Sequence, residues 1–216
     1  MPTELPLFPL SQVVLFPRVR APLHIFEPRY RQMMQAALAG ARVIGMVTVP
    51  PAHHAEMAGD PPLFDVGCAG FVEAWERLSD GRYNLVLHGT QRFRIVHEAP
   101  RPAARLYRVA DVELLADEPA EDPSGAMAAS RGRVLEVLSR LLQQSGGSAD
   151  TSRLATLDHE TFANTLCQIL GLAPEEKQGL LEASGAGARL DALEGLLHFH
   201  LVRRRQPSGS GSEAIH

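Results

Sequence analysis

The chain has 216 residues, 45% of them hydrophobic, and a formal charge of −4; this is ordinary globular composition, enough for one large domain or two small ones, and it speaks against a dominant nucleic-acid role. No run of about 18 apolar residues exists, and "MPTELPLFPL" at the start lacks a basic segment followed by a long apolar one, so neither a membrane span nor a secretion signal is expected. The two cysteines, Cys68 and Cys167, stand far apart in no metal-ligand spacing, and the expectation is a cytoplasmic protein with reduced, buried thiols.

In chain order, "VVLF" (residues 13–16) and "APLHIF" (residues 21–26) read as short apolar strands, bracketed by Pro9, Pro17 and Pro28. Prolines this dense belong to edge strands and corners. A helix is predicted from Pro28: proline is favoured at the first helical position, and Tyr30, Met33, Met34, Ala37 and Leu38 form one stripe before Gly40 stops it. "VIGMVTV" (residues 43–49) is a buried strand, and residues 50–62 form a loop rich in Pro, Gly and Ala.

From Phe64 to Leu115 the pattern is almost all β. Asp80-Gly81, between "GFVEAWERL" and "YNLVLHG", predicts a hairpin with a tight primed turn. In "LYRVADVELL", Asp111 and Glu113 share one face and Ala110, Val112 and Leu114 the other, as in a strand with one wet side. Several short strands with one early helix suggest a barrel-like β domain.

"ADEPAEDPSG" (residues 116–125) turns acidic and proline-containing and marks a boundary, beyond which the apolar period becomes helical. Val134, Leu135, Leu138, Leu141 and Leu142 stripe one helix; Phe162, Leu166, Ile169 and Leu170 stripe a second, with Asp158 as N-cap. Pro174 starts a third, ended by Gly185 or Gly187, and Leu190, Leu193, Leu197 and Leu201 stripe a fourth. The division expected is a β domain at residues 1–117, a helical bundle at 118–205, joined internally by the link "QQSGGSADTS", and a disordered tail at 206–216.

The segments "LPLFPLSQVVLFPRVRAPLHIFEPRYRQMM", "VGCAGFVEAWERLSDGRYNLVLHGTQRFRI", "YRVADVELL" and "EEKQGLLEASGAGARLDALEGLL" together resemble the N-terminal, substrate-binding domain of the Lon protease family, in that family's order. The resemblance implies an α+β fold: a PUA-like β pseudobarrel with one early helix, then a C-terminal α-helical bundle. It also implies a non-catalytic module that binds unfolded or peptide-like protein clients, linked to proteolysis or quality control through a separate protease or chaperone. The ATPase and Ser–Lys peptidase modules of the Lon proteases have no counterpart here. No G-x-x-x-x-G-K-[ST] cradle for phosphates occurs, no G-x-S-x-G, and the single lysine, Lys177, falls in a segment that matches the binding domain. The chain is therefore expected to be no enzyme and to carry no cofactor.

The residues expected at a peptide or partner surface are Phe16, His24, Phe26, Glu27, Arg29, Tyr30 and Trp75. For "FEPR" an architectural role competes: the residue before proline is pushed out of the α region, so Glu27 must end a strand, and Arg29 ties the corner to a neighbouring strand. Trp75, in phase with Phe71 and Glu73, is read as core before it is read as an exposed anchor. The nine histidines lack metal spacing: His53 and His54 are adjacent, and His198 and His200, at i and i+2 of a helix, point apart. The rival function is an RNA-binding PUA-like module using the three arginines and Tyr107 of "RPAARLYR"; a charge-protected strand edge explains that segment as well.

Overall fold

In the computed structural model, which describes residues 3–117, 124–144, 154 and 156–205, the first half is a six-stranded mixed sheet. The strands are β1 (Thr3–Leu10), β2 (Arg20–Ile25), β3 (Val43–Thr48), β4 (Val66–Arg77), β5 (Tyr83–Glu98) and β6 (Arg108–Leu114), in the order β2-β5-β4-β3-β1-β6. β5, 16 residues long, pairs with β2 over Tyr83–His88, with β4 over Tyr83–Arg94 and with β6 over Phe93–Glu98, so the pairings run from β5 through β4, β3, β1 and β6 back to β5. Register shifts beside Glu73, Thr90 and Val96 bend these strands, as bulges do. β2 pairs only with β5 and is a free edge.

Helix α1 (Pro28–Ala39) begins and ends as its residues predict: Glu27 is extended, Tyr30, Met33, Met34 and Ala37 are buried, and Gly40 is the C-cap. The helices of the second half are α2 (Ala126–Gln144), α3 (His159–Ile169), α4 (Pro174–Glu182) and α5 (Gly185–Arg205). Asp158 caps α3 by accepting from the Thr161 N–H at 2.9 Å. Leu190, Leu193, Leu197 and Leu201 are all buried. One apolar cluster runs from Phe8, Phe16 and Met33 on the β side to Phe162, Leu181 and Leu193 on the helical side; a smaller one, around Leu7, Phe93 and Val112, fills the inside of the ring of strands.

Several expectations are corrected. Residues 14–16 are buried and Val13 partly so, but they form no strand: the Phe16 N–H goes to the Gln168 side chain, and Arg18, at φ 60, turns the chain to pair with Gly89. A Cβ on Gly89 would overlap the Phe16 carbonyl oxygen, so this close approach requires glycine. The hairpin turn is not primed at both positions. Only Gly81 has positive φ, at 82°, and its N–H bonds Leu78 O at 2.9 Å, which is a β-turn followed by one left-handed glycine. Gly185 does not end the third helix; α4 stops at Glu182, and Gly185 begins α5. Ile169 leaves its stripe and is 62% exposed, because it is the last residue of α3. The first two residues of the expected link, Gln143 and Gln144, are the end of α2; the rest of the link, the tail, and residues 118–123 of the boundary lie outside the described residues.

Candidate functional site

The corner "FEPR" is a clip between elements. Arg29 Nε donates to Glu27 Oε2 at 2.9 Å, Nη2 to Met57 O at 2.5 Å and Nη1 to Gly59 O at 3.0 Å, while its guanidinium lies 4.5 Å from the Tyr30 ring centre. Arg29 therefore ties the corner to the loop after the 3-10 turn Pro51–Glu56, not to a strand. Glu27 makes no side-chain cap on α1; its carboxylate is used by Arg29. Tyr30 is buried, with its hydroxyl 3.4 Å from Pro9 O, and burial pushes its pKa up to about 12. Phe16 has no exposed surface. Neither ring can present itself to a partner, which narrows the expected surface to its other members.

Of these, His24 on β2, Trp75 on β4 and Phe26 just beyond β2 lie around the β2–β5–β4 part of the sheet, while Glu27 and Arg29 stay in the clip. Register places Arg20, His88 and Phe71 in one row across the three strands, Pro22, Val86 and Ala74 in a second, and His24, Asn84 and Glu76 in a third. A shallow groove of about 590 Å³ is lined by the last two rows and by Leu23, Leu85 and Trp75 between them. The second row is apolar and the third polar. His24 Nδ1 is 2.7 Å from Asn84 Oδ1 and Arg82 Nη1 is 3.3 Å from His24 Nε2, so the ring donates on one side and accepts on the other. Phe26, one residue beyond β2, is 60% exposed and lies nearly parallel to His24.

Trp75 overturns the core reading: it is 47% exposed. Its expected phase with Phe71 also fails. Glu73 is skipped in the pairing of Val72 with Leu87 and Ala74 with Val86, so Trp75 falls opposite Leu85, and its ring centre is 6.4 Å from that of buried Tyr83. The bulged Glu73 holds Arg20 with both oxygens, at 2.6 and 2.8 Å, and the Arg20 guanidinium keeps its carboxyl below the ordinary range.

The arginines of "RPAARLYR" are engaged locally. Arg101 makes a two-pronged pair with Asp60, Arg108 with Glu98, and Arg105 Nη2 donates to Pro100 O at 2.7 Å. His53 meets Glu56 at 2.8 Å, and His198 and His200 turn to different glutamates, Glu194 and Glu176. Lys177 donates to Gln168 O at 2.6 Å near the end of α3, and its burial lowers its pKa. Burial pushes both thiols, Cys68 and Cys167, up to about 12. Among the described residues no helix is long and apolar enough to cross a membrane.

A polar seam joins the sheet to the helices. Arg92 of β5, 3% exposed, donates from Nε to Asp117 Oδ1 at 2.7 Å and from Nη1 to Leu181 O and Glu182 O at 3.1 and 3.2 Å, closing the last turn of α4. Arg189 of α5 donates from Nη2 to Asp117 Oδ2 at 2.8 Å and from Nη1 to Asn164 Oδ1 at 2.9 Å. Gln178 Nε2 reaches Val66 O at 2.9 Å. Sequence reasoning missed this seam. One signal was available: Arg189 interrupts the apolar stripe of α5 between Ala186 and Leu193, where a solvated arginine has no place.

The model of the ATP-dependent protease La (LON) substrate-binding domain family matches residues 4–198. The Lon protease of Flavobacterium johnsoniae is 26% identical over 207 residues, covering 93% of this chain and 24% of that protein. The Lon protease of Paraburkholderia phytofirmans is 29% identical over 192 residues, covering 86% of this chain and 23% of that protein. The chain thus spans about a quarter of the length of these relatives. Among solved structures, the Lon N-terminal domain protein from Xanthomonas campestris matches with a TM-score of 0.61 at 24% identity, covering 89% of this chain and 98% of that one. The N-terminal domain of the Mycobacterium avium complex Lon protease matches at 0.64 and 18%, covering 92% and 100%. At these identities the structural likeness speaks for the fold.

Proposed function

Because the chain belongs to the LON substrate-binding domain family, we propose that it is a non-catalytic module that binds extended polypeptide on the β2–β5–β4 face. The observation that carries this reading is the free edge of β2 beside the shallow groove that Trp75 lines, with the exposed ring of Phe26 just past the end of the strand. An added chain gains main-chain hydrogen bonds from an unpaired edge, and neighbouring apolar surface takes alternate side chains. Among the described residues no backbone hydrogen bond is made on the outer side of β2. The clients are unfolded or peptide-like protein segments, delivered to or withheld from a separate protease or chaperone.

Trp75 is the only tryptophan and reports on its own surroundings. The test is titration with fluorescein-labelled β-casein, an unfolded chain, followed by Trp75 emission and by anisotropy at low and high salt. Saturable binding that survives salt and weakens in Trp75→Ala and Phe26→Ala supports the reading. Casein binding unchanged in both variants would move the site elsewhere, and no binding at all would remove the function.

A further inference from the structure

The seam around Asp117 and the proposed binding face are joined by a continuous set of contacts through α3. We propose that Asp117 is a positioning residue for that face: by holding Arg92 and Arg189 together it fixes α3, and α3 fixes the segment that leads into β2. This rests on the polypeptide-binding reading of the β2–β5–β4 face.

The contacts run as follows. Asp117 offers one carboxylate oxygen to Arg92 and the other to Arg189. Arg189, with no exposed surface, carries the link into α3 through Asn164. Four residues on, one turn along the same helix, Gln168 Oε1 accepts the N–H of Phe16 at 3.1 Å. At the start of α3, Asp158 and Glu160 hold Arg18 at 3.5 and 2.8 Å. The helix thus grips residues 16 and 18 from both of its ends, and β2 begins at Arg20.

Two features indicate that the leading segment depends on this grip. Arg18 has φ 60, a conformation that disfavours any residue with a Cβ and persists where its surroundings impose it. The Phe16 N–H is in no strand ladder, so Gln168 is its partner in a buried place where an unmet donor is costly. The seam itself is finely balanced: two guanidiniums share one carboxylate, and Arg189 Nε and Asn164 Nδ2 are buried without a partner. Removing the Asp117 charge leaves two buried cations facing each other, and the joint must open to separate or hydrate them.

The experiment is amide hydrogen exchange on the full chain, comparing wild type with Asp117→Asn, Gln168→Ala and the surface control Arg140→Ala, alongside β-casein binding. Asp117→Asn is expected to speed exchange about tenfold or more in residues 13–20 and in α3, and to weaken casein binding, while the hairpin around Gly81 is unchanged. Gln168→Ala removes only the last link. It is expected to speed exchange about tenfold at residues 14–19 alone, and it decides the matter if Asp117→Asn does not fold. Unchanged exchange at residues 13–20 in folded Asp117→Asn or in Gln168→Ala overturns the proposal, as does casein binding lost without that change. If wild type binds no casein, the functional reading fails while the exchange data still decide the link from Asp117 to β2.

Discussion

Arg189, with no exposed surface, is joined to Asp117 across 72 residues of chain by a 2.8 Å hydrogen bond from Nη2 to Oδ2. The same carboxylate holds Arg92, so the pair is one of two ion pairs in a mostly buried triad with two positive charges and one negative. Removing the shared anion should therefore cost more than removing either cation. Asp117→Asn is expected to destabilise by about 3–5 kcal/mol, and Arg189→Met by distinctly less, because Asp117 then keeps Arg92 as its counter-ion and no buried charge is left unpaired. Thermal and urea unfolding measure both. Equal costs would refute the like-charge argument.

The "FEPR" corner and the aromatic face should separate in a paired experiment. Arg29→Gln loses an ion pair and two carbonyl contacts that fasten the loop of residues 57–59, so it should destabilise by about 1–3 kcal/mol and leave casein affinity alone. Trp75→Ala should do the reverse. Loss of affinity in a fully folded Arg29→Gln would return this corner to the binding surface.

Charge reversal at Arg101 and Arg105 tests the RNA alternative. A phosphate-binding patch would lose affinity steeply as salt rises and would lose it again on reversal. Because Arg101 is already taken by Asp60, the expected result is a lower melting temperature and no such salt-dependent RNA binding to lose. Tight RNA binding abolished by Arg101→Glu would contradict this.

Acid should loosen the loops that Arg101 and Asp60 tie together. The hydrogen bond from Arg101 holds the Asp60 carboxyl below the ordinary range, and Arg20 does the same for Glu73. A lowered folded pKa means stabilisation that is present above the unfolded value, about 4, and is lost as pH falls through the folded value. The melting temperature should hold from neutral pH to about 5 and fall below about 4, less steeply in Asp60→Asn. An acid slope identical in Asp60→Asn and wild type would rule out Asp60 as a contributor.

We propose that the chain divides near residue 117 and that a protease can cut it there. Glu-C, which cuts after glutamate except before proline, should nick the chain at Glu121 rather than at Glu118, which precedes Pro119, yet the two fragments should elute together from a sizing column. The reason is that Phe16 and Met33 share one apolar cluster with Phe162 and Leu181. Fragments that separate without denaturant would show that the seam and this cluster do not hold the halves together.

Elements whose signal is local were legible in the residues alone. Pro28 and the apolar stripe defined α1, Asp158 defined the start of α3, the leucine stripe defined α5, and the alternation in "RVADVEL" defined β6. Each depends on residues within a turn or two, so pattern and backbone sterics suffice. Features that depend on distant partners emerged only in the folded chain. Residues 13–16 look like a strand, but Gln168 and Gly89 claim the backbone around them. Trp75 looks like core, but one bulged residue, Glu73, shifts its register. "FEPR" became a clip, and Arg101 of "RPAARLYR" found its carboxylate, only when a folded loop brought Met57, Gly59 and Asp60 to meet them. Asp117 read as an acidic linker residue until chain topology brought Arg92 and Arg189 to its two oxygens. A buried charge is identified by its partners, and no local pattern contains partners 25 and 72 residues away.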